Sequence, residues 1–364
     1  MAKAAKSRKT TVLWLLAIFG IAALTAGGLY GWNRIMLKKE ARLLQERGYQ
    51  YAVTDADYAL SYQKAGNDAA AHIVVAISVM GVDDYAEELA KMIEYLREDA
   101  FFVCMDRAGY GLSADTHRPQ TVEQVVEDYR SALKDAKIEP PYVLLPHSYG
   151  GVIATYWESI YPDEIEGVFY MDCTVLSAEE EETQYFAPAS WFMRLFSDFG
   201  ITRMTQKQIV TLPPSYTDRQ RENSRLLTMH SFRPYAKDSE QKLMPQNCKT
   251  VYESIAANDI PKAYLSAASF RKAEEWLVAD EWARTWQKMP AATEEERQRL
   301  AEKNVSICKN MTEEVIRPYT DLLGNCEILE LPGDHFIYMQ RPMECAVLFS
   351  QFLQRIDETE NTGV

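Results

Sequence analysis

From His72 onward the chain alternates short apolar, β-rich runs with stretches whose apolar residues recur at helical spacing. His72–Ser78 (HIVVAIS), Phe101–Met105 (FFVCM), Tyr142–Leu145 (YVLL) and Val168–Met171 read as buried strands. Between them, Tyr85–Leu96, Val122–Ala136 and Gly151–Tyr161 carry the periodicity of amphipathic or buried helices. Strands separated by helices imply βαβ units, hence a mostly parallel sheet, and right-handed crossovers place helices on both of its faces. The rhythm breaks after Thr174. Residues 175–258 are helical, aromatic and rich in Met, with no convincing strand. The sheet resumes at Pro261–Leu265 (PKAYL) and finishes at Cys326–Leu331 (CEILEL), before a closing helix Met343–Ile356. The expected fold class is therefore α/β, with 175–258 as a helical lid inserted between two sheet strands. The core is expected in two parts, 66–174 and 259–364.

The N-terminus has a different pattern. Lys3, Lys6, Arg8 and Lys9 precede an uncharged run from Thr10 to Asn33. At 1.5 Å per residue this run exceeds the roughly 30 Å of hydrocarbon in a bilayer. Trp14, Tyr30 and Trp32 lie near its ends, where interfacial aromatics belong. The h-region of a cleaved signal peptide is normally shorter, and Leu24 disfavours a small-x-small site ending at Ala26. Residues 1–33 are thus expected to be a single-pass signal anchor in the cell membrane, followed by an amphipathic stem over 34–65. The cations Arg34, Lys38, Lys39, Arg42 and Arg47 nearly balance those before the span. The short basic segment ahead of the apolar run still favours an extracytoplasmic catalytic domain.

Composition narrows the chemistry. The apolar fraction is 47% of 364 residues, enough for a sizeable core, and the formal net charge is -14. Such acidity, with no basic stripe in the body of the chain, argues against nucleic acid. None of the six cysteines forms a CxxC pair, so no metal site is expected. A Cys248–Cys308 disulfide is compatible with the sequence.

One constellation carries chemistry. The strand YVLL runs into Pro146-His-Ser-Tyr-Gly-Gly151 and then a helix. That is the context of a nucleophile elbow, with Ser148 on a tight strand-to-helix turn above the sheet. Gly150 and Gly151 leave room for a crossing chain, and the helix N-terminus favours a developing oxyanion. The stretch His72–Thr174 resembles the α/β-hydrolases, especially N-terminally membrane-anchored bacterial serine hydrolases. The resemblance rests on Asp106-Arg-Ala-Gly-Tyr-Gly-Leu-Ser113, Leu145-Pro-His-Ser-Tyr-Gly-Gly151, Tyr161-Pro-Asp-Glu-Ile-Glu-Gly167 and the late Gly333-Asp-His-Phe336. It departs from the family at Pro146, where glycine is usual.

The resemblance implies Ser148 as nucleophile and His335, on the loop after the last strand, as general base. No carboxylate follows Pro261–Leu265 at the family's usual acid position. Asp172, at the end of the preceding strand, is the first choice, and Glu274 or Glu275 the alternative. The oxyanion-hole donors are expected to be the backbone N–H groups of Tyr149 and Met80. The turn at Asp106 and Gly109–Gly111 is expected to be structural. Tyr185, Phe186, Trp191, Phe192, Met193, Phe196 and Phe199 supply packing within the lid or an apolar substrate wall. The expected activity is cleavage of an ester or amide in a small apolar acyl substrate, without cofactor. A non-catalytic binding or sensor module on the same scaffold, or an acyltransferase with the same triad, are the competing readings.

Overall fold

A computed structural model describes residues 2–178, 190–204, 212–232 and 234–362. Eight strands form one sheet: β1 (Gln50–Val53), β2 (Ala59–Gly66), β3 (His72–Ile77), β4 (Ala100–Met105), β5 (Tyr142–Pro146), β6 (Ile165–Met171), β7 (Lys262–Ser266) and β8 (Cys326–Glu330). Their spatial order is β1-β2-β4-β3-β5-β6-β7-β8. The pairs β1–β2 and β2–β4 are antiparallel, and all others are parallel. The chain leaves β3 for one side of the sheet and returns to β5 on the other. The crevice outside the carboxyl ends of β3 and β5 is therefore a topological switch point, where open α/β sheets bind ligands.

Both faces of the central strands are buried, which is why they read as continuous apolar runs. Val75, Val103, Leu144 and Tyr170 pack against Tyr129 of the helix Val122–Asp135, Trp157 of the helix Gly150–Ile160 and Val251 of the helix Tyr235–Ser254. Val74, Phe102, Leu145 and Phe169 pack the other way, against Leu89 of the helix Tyr85–Tyr95 and Phe349 of the helix Pro342–Thr362.

The structure revises three expectations about boundaries. The N-terminal helix runs unbroken from Ala2 to Glu46, well past Asn33. The remainder of the expected stem is not a stem, because β1 and β2 extend the sheet antiparallel onto β4. These strands escaped the pattern because β1 is an edge strand with Tyr51 and Val53 exposed. In addition, β2 buries three consecutive residues, Leu60 to Tyr62, and alternates only from Gln63 onward, which dilutes its period. Finally, the helix Tyr235–Ser254 closes the expected lid but buries Cys248 and Val251 in the main core, so it belongs to the helical layer. Cys248 and Cys308 are both free thiols, each in a different apolar cluster.

Candidate active site

Ser148 follows β5 after one residue and has φ of 52°, in the left-handed region that serine rarely adopts. Such a conformation costs about 1–3 kcal/mol and persists only where its surroundings enforce it. Here they do. His147 N–H donates to Ile77 O at 3.0 Å, and Thr174 N–H donates to Ser148 O at 3.0 Å. The elbow is closely crossed on both sides. A Cβ at Gly150 would lie 2.4 Å from Ile77 O, and one at Gly151 would lie 2.5 Å from Cys173 Cβ. The proline departure also finds its reason. His147 N–H points to β3, so the ring nitrogen of Pro146 faces β6. The regular β5–β6 ladder ends at Leu144–Val168 and resumes only as an isolated bridge between His147 and Met171. A residue without an N–H therefore leaves no ladder bond unmade.

The remaining members of the constellation, Asp172 and His335, follow two strand ends, those of β6 and β8. Asp172 caps β6 with φ of 43°. Its Oδ1 accepts the Ala267 N–H at 2.9 Å, and its Oδ2 lies 2.7 Å from His335 Nδ1. The carboxylate thus fixes which imidazole nitrogen is occupied and leaves Nε2 free. Burial opposes charge on His335, but the bond to Asp172 and the charges of Asp172 and Asp334 outweigh it, holding the pKa above its ordinary value. Glu274 and Glu275 are not brought to His335. Glu274 is exposed, and Glu275 Oε2 accepts the Arg271 N–H at 2.7 Å as a helix cap.

Ser148, Asp172 and His335 line one cavity of about 220 Å³, with Val175, Tyr264, Met311 and Ile316 as apolar walls. Ser148 Oγ has no hydrogen-bond partner among the described residues. Met311 and Ile316 bound a π-helical turn, a feature that recurs at functional sites. A larger hollow of about 520 Å³, lined in part by Phe270, Glu302, Cys308 and Glu330, contains none of the three. The lid aromatics are placed only in part. Tyr185 and Phe186 lie outside the described residues, as do the side chains of Trp191, Phe192 and Met193. Phe199 packs against Tyr30 of the N-terminal helix instead of the cavity, with ring centroids 6.2 Å apart.

Two buried supports were invisible in the sequence. His147 is fully buried beneath the base loop, and its Nε2 lies 2.9 Å from His335 O. Burial and the neighbouring His335 push its pKa well down, so it stays neutral and can donate to that carbonyl. The second support is Arg107, in the stretch read as a mere turn. Its Nη1 donates to Ser78 O at 2.7 Å, its Nη2 donates to Val79 O at 3.1 Å, and its Nε meets Glu240 Oε1 at 2.6 Å. Tyr110 OH takes the Gly81 N–H at 3.1 Å. In a planar trans peptide, C=O and N–H point in opposite directions. Holding the Val79 carbonyl therefore turns the Met80 N–H away from Arg107. Neither the Met80 nor the Tyr149 N–H has an acceptor among the described residues. Arg107 and Glu240 are both buried, so Arg107→Met should cost about 3–5 kcal/mol of stability by stranding the carboxylate. Arg107→Met with Glu240→Met should recover part of that loss. Urea titration of both variants checks this.

Comparison with known proteins agrees with this architecture. Residues 69–244 match the profile of a family described as serine aminopeptidase, S33. The chain has the α/β-hydrolase fold. Among its relatives, Serine hydrolase-like protein 2 of Homo sapiens is 21% identical over 285 residues, covering 74% of this chain and 84% of the human protein. The uncharacterized YbdG of Bacillus subtilis is 29% identical over 164 residues, 45% of this chain. The chain spans only about half of YbdG, 49% of its length. Among solved structures, the epoxide hydrolase CorEH superposes with a TM-score of 0.57 at 14% identity, covering 85% of this chain and 99% of its own. Haloalkane dehalogenase DbeA from Bradyrhizobium elkani does so with a TM-score of 0.51 at 12% identity, covering 86% and 99%. At such identities these likenesses concern the fold.

Proposed function

We propose that this α/β-hydrolase cleaves an ester or amide bond through an acyl-enzyme on Ser148. The observation that carries the reading is convergence. A partly exposed serine on a strained turn shares one cavity with a histidine whose Nδ1 is bonded to the Asp172 carboxylate at 2.7 Å. In the reaction, His335 Nε2 takes the Ser148 hydroxyl proton as Oγ attacks the carbonyl carbon. The C=O electron pair moves onto oxygen, and the Tyr149 and Met80 N–H groups receive that oxyanion. Collapse expels the alcohol or amine, which takes the proton from His335. Water, deprotonated by the same histidine, then releases the acid and regenerates Ser148. Asp172 stabilises the imidazolium throughout and is not itself protonated. His147, neutral and pressed against the His335 carbonyl, positions the base loop. The volume and apolar walls around Ser148 suit a small acyl group. The test is a fluorophosphonate probe with peptide mapping. Stoichiometric labelling of the Ser148 peptide supports the reading, and a folded chain that does not label overturns it.

We also propose that the N-terminal helix anchors the chain in a membrane. The stretch Val12–Glu46 contains an 18-residue window of mean hydropathy 2.2 with none of it buried. Leu13, Leu16, Phe19, Ile21 and Leu24 all face outward, a surface that water does not tolerate at this scale. Full-length chain is expected in the membrane fraction. Deletion of residues 1–33 should release it into the soluble fraction with ester hydrolysis retained, since the span contributes nothing to either core layer. Unprocessed full-length chain in the soluble fraction contradicts the anchor.

A further inference from the structure

We propose that residues 195–204 form, with Tyr30 and Trp32, a surface seated in the headgroup region of an anionic bilayer, so that the cap of the hydrolase rests on the membrane. This rests on the anchor reading above and goes beyond it, because an anchor alone permits a domain held clear of the lipid.

The helix sets the depth. Trp14 and Trp32 are eighteen residues apart on one unbroken helix, which at 1.5 Å per residue is roughly 27 Å, close to the hydrocarbon thickness. Two aromatics at that separation mark the two interfaces, so the level of Trp32 and Asn33 is the level of the headgroups. The cap is pinned at that level. Asn33 is buried, and its Nδ2 donates to Ser197 O at 2.9 Å and Asp198 O at 3.0 Å. Arg203 Nε returns to Asn33 Oδ1 at 2.6 Å, and its Nη2 meets Glu40 Oε2 at 2.8 Å, one helical segment further on. Gly200, at φ of 72°, lies against the Trp32 ring so closely that a Cβ there would sit 3.0 Å from Cζ3.

The chemistry of the exposed groups matches a bilayer edge. Leu195, Ile201 and Met204 are exposed, as are Tyr30 and Trp32, which meet the same segment at Phe199 and Gly200, and Met204 is 82% exposed. Immediately beyond Asn33, Arg34, Lys38, Lys39 and Arg42 are exposed on the same helix. Clustered cations next to a span attract anionic headgroups, and here they belong to a chain of net charge -14. The helix does not swing freely from the domain. Leu44 is buried against Leu227, and Arg47 Nη1 bonds Asn223 Oδ1 at 2.5 Å. Anchor and cap therefore share one orientation toward the lipid.

The test uses the full-length chain in vesicles of phosphatidylcholine and phosphatidylglycerol, with an environment-sensitive fluorophore on Leu16→Cys, Met204→Cys or Val347→Cys. The unsubstituted chain sets the background from its own thiols. Brominated lipid is expected to quench the Leu16→Cys label strongly and the Met204→Cys label by about twofold, the depth of an interfacial apolar face, and to leave the Val347→Cys label unchanged. Quenching at Leu16→Cys with Met204→Cys behaving like Val347→Cys overturns the proposal and leaves the anchor standing. No quenching at Leu16→Cys overturns the anchor and the proposal together. A Met204→Cys label that escapes bromine but shifts its emission with the protein-to-lipid ratio reports a second copy on this surface, and that also overturns it.

Discussion

Ser148→Ala is expected to lower kcat by about 10⁶ while the chain stays folded, the scale of loss when one member of a triad that acts as a unit is removed. The loss is large because the other hydroxyl side chains lining the cavity, Thr174, Tyr264 and Ser266, do not stand on the strand-to-helix turn. Cys173 lines the same cavity, but burial and the Asp172 charge push its thiol pKa well up, so it is held as the poorly nucleophilic thiol. Folding should persist because the side chain is partly exposed and makes no hydrogen bond among the described residues, so its removal leaves no buried group unpaired. Replacement even lightens the elbow's steric load slightly, as alanine keeps the same backbone. The measurement is kcat on a short-chain ester, alongside circular dichroism and fluorophosphonate labelling. Turnover within tenfold of wild type removes Ser148 from the mechanism.

Asp172→Asn should be the second largest effect, a fall of about 10⁴ in kcat, because an amide of the same shape can hold the imidazole in the wrong tautomer and cannot stabilise the imidazolium. Glu274→Gln and Glu275→Gln should leave kcat within about twofold, as neither side chain reaches the histidine. The pH profile gives an independent readout. His335 acts as a base only when neutral, and its pKa lies above the ordinary 6.5 of histidine. In the native chain kcat/KM should therefore fall on acidification through a pKa above that value. Burial lowers the His335 pKa, and the bond and charge of Asp172 are what raise it. Removing the charge must move the acid limb to lower pH. A limb that stays in place, with kcat intact, assigns the orienting carboxylate elsewhere.

Much of this was legible in the residues themselves. The parallel half of the sheet could be read because each strand, buried on both faces, had to be an uninterrupted apolar run bounded by helical periods. Ser148 was legible because the elbow is a local object, in which strand, turn, two glycines and helix occupy consecutive positions and close contacts at Gly150 and Gly151 exclude larger side chains. His335 followed from its place after the final strand. The long apolar N-terminal helix was legible through length and hydropathy alone, though its end was not. Past Asn33 the helix carries charge on its exposed side and continues because Leu44 and Asn33 find partners far along the chain.

What the sequence left open were distances between segments remote in the chain. Asp172 and Glu274 were both available to His335. Only the pairing of β6 with β7, and the turn at φ of 43°, put the Asp172 carboxylate within 2.7 Å of the ring. The antiparallel edge formed by β1 and β2 was hidden because an edge strand buries one face and its period-two signal is short. Arg107 is the plainest case. An arginine in a glycine-rich turn reads as solvated, since burying a guanidinium is costly unless every donor is met. Tertiary structure meets them with Glu240, 133 positions away, and with the carbonyls of Ser78 and Val79. Local pattern determines the elements and the strand-to-helix turn at Ser148, because both depend on neighbours in sequence. The pairing of Asp172 with His335, the fixed loop at Met80 and the contact of the N-terminal helix with residues 197–203 depend on which strand ends and helix faces meet, and only the folded chain decides that.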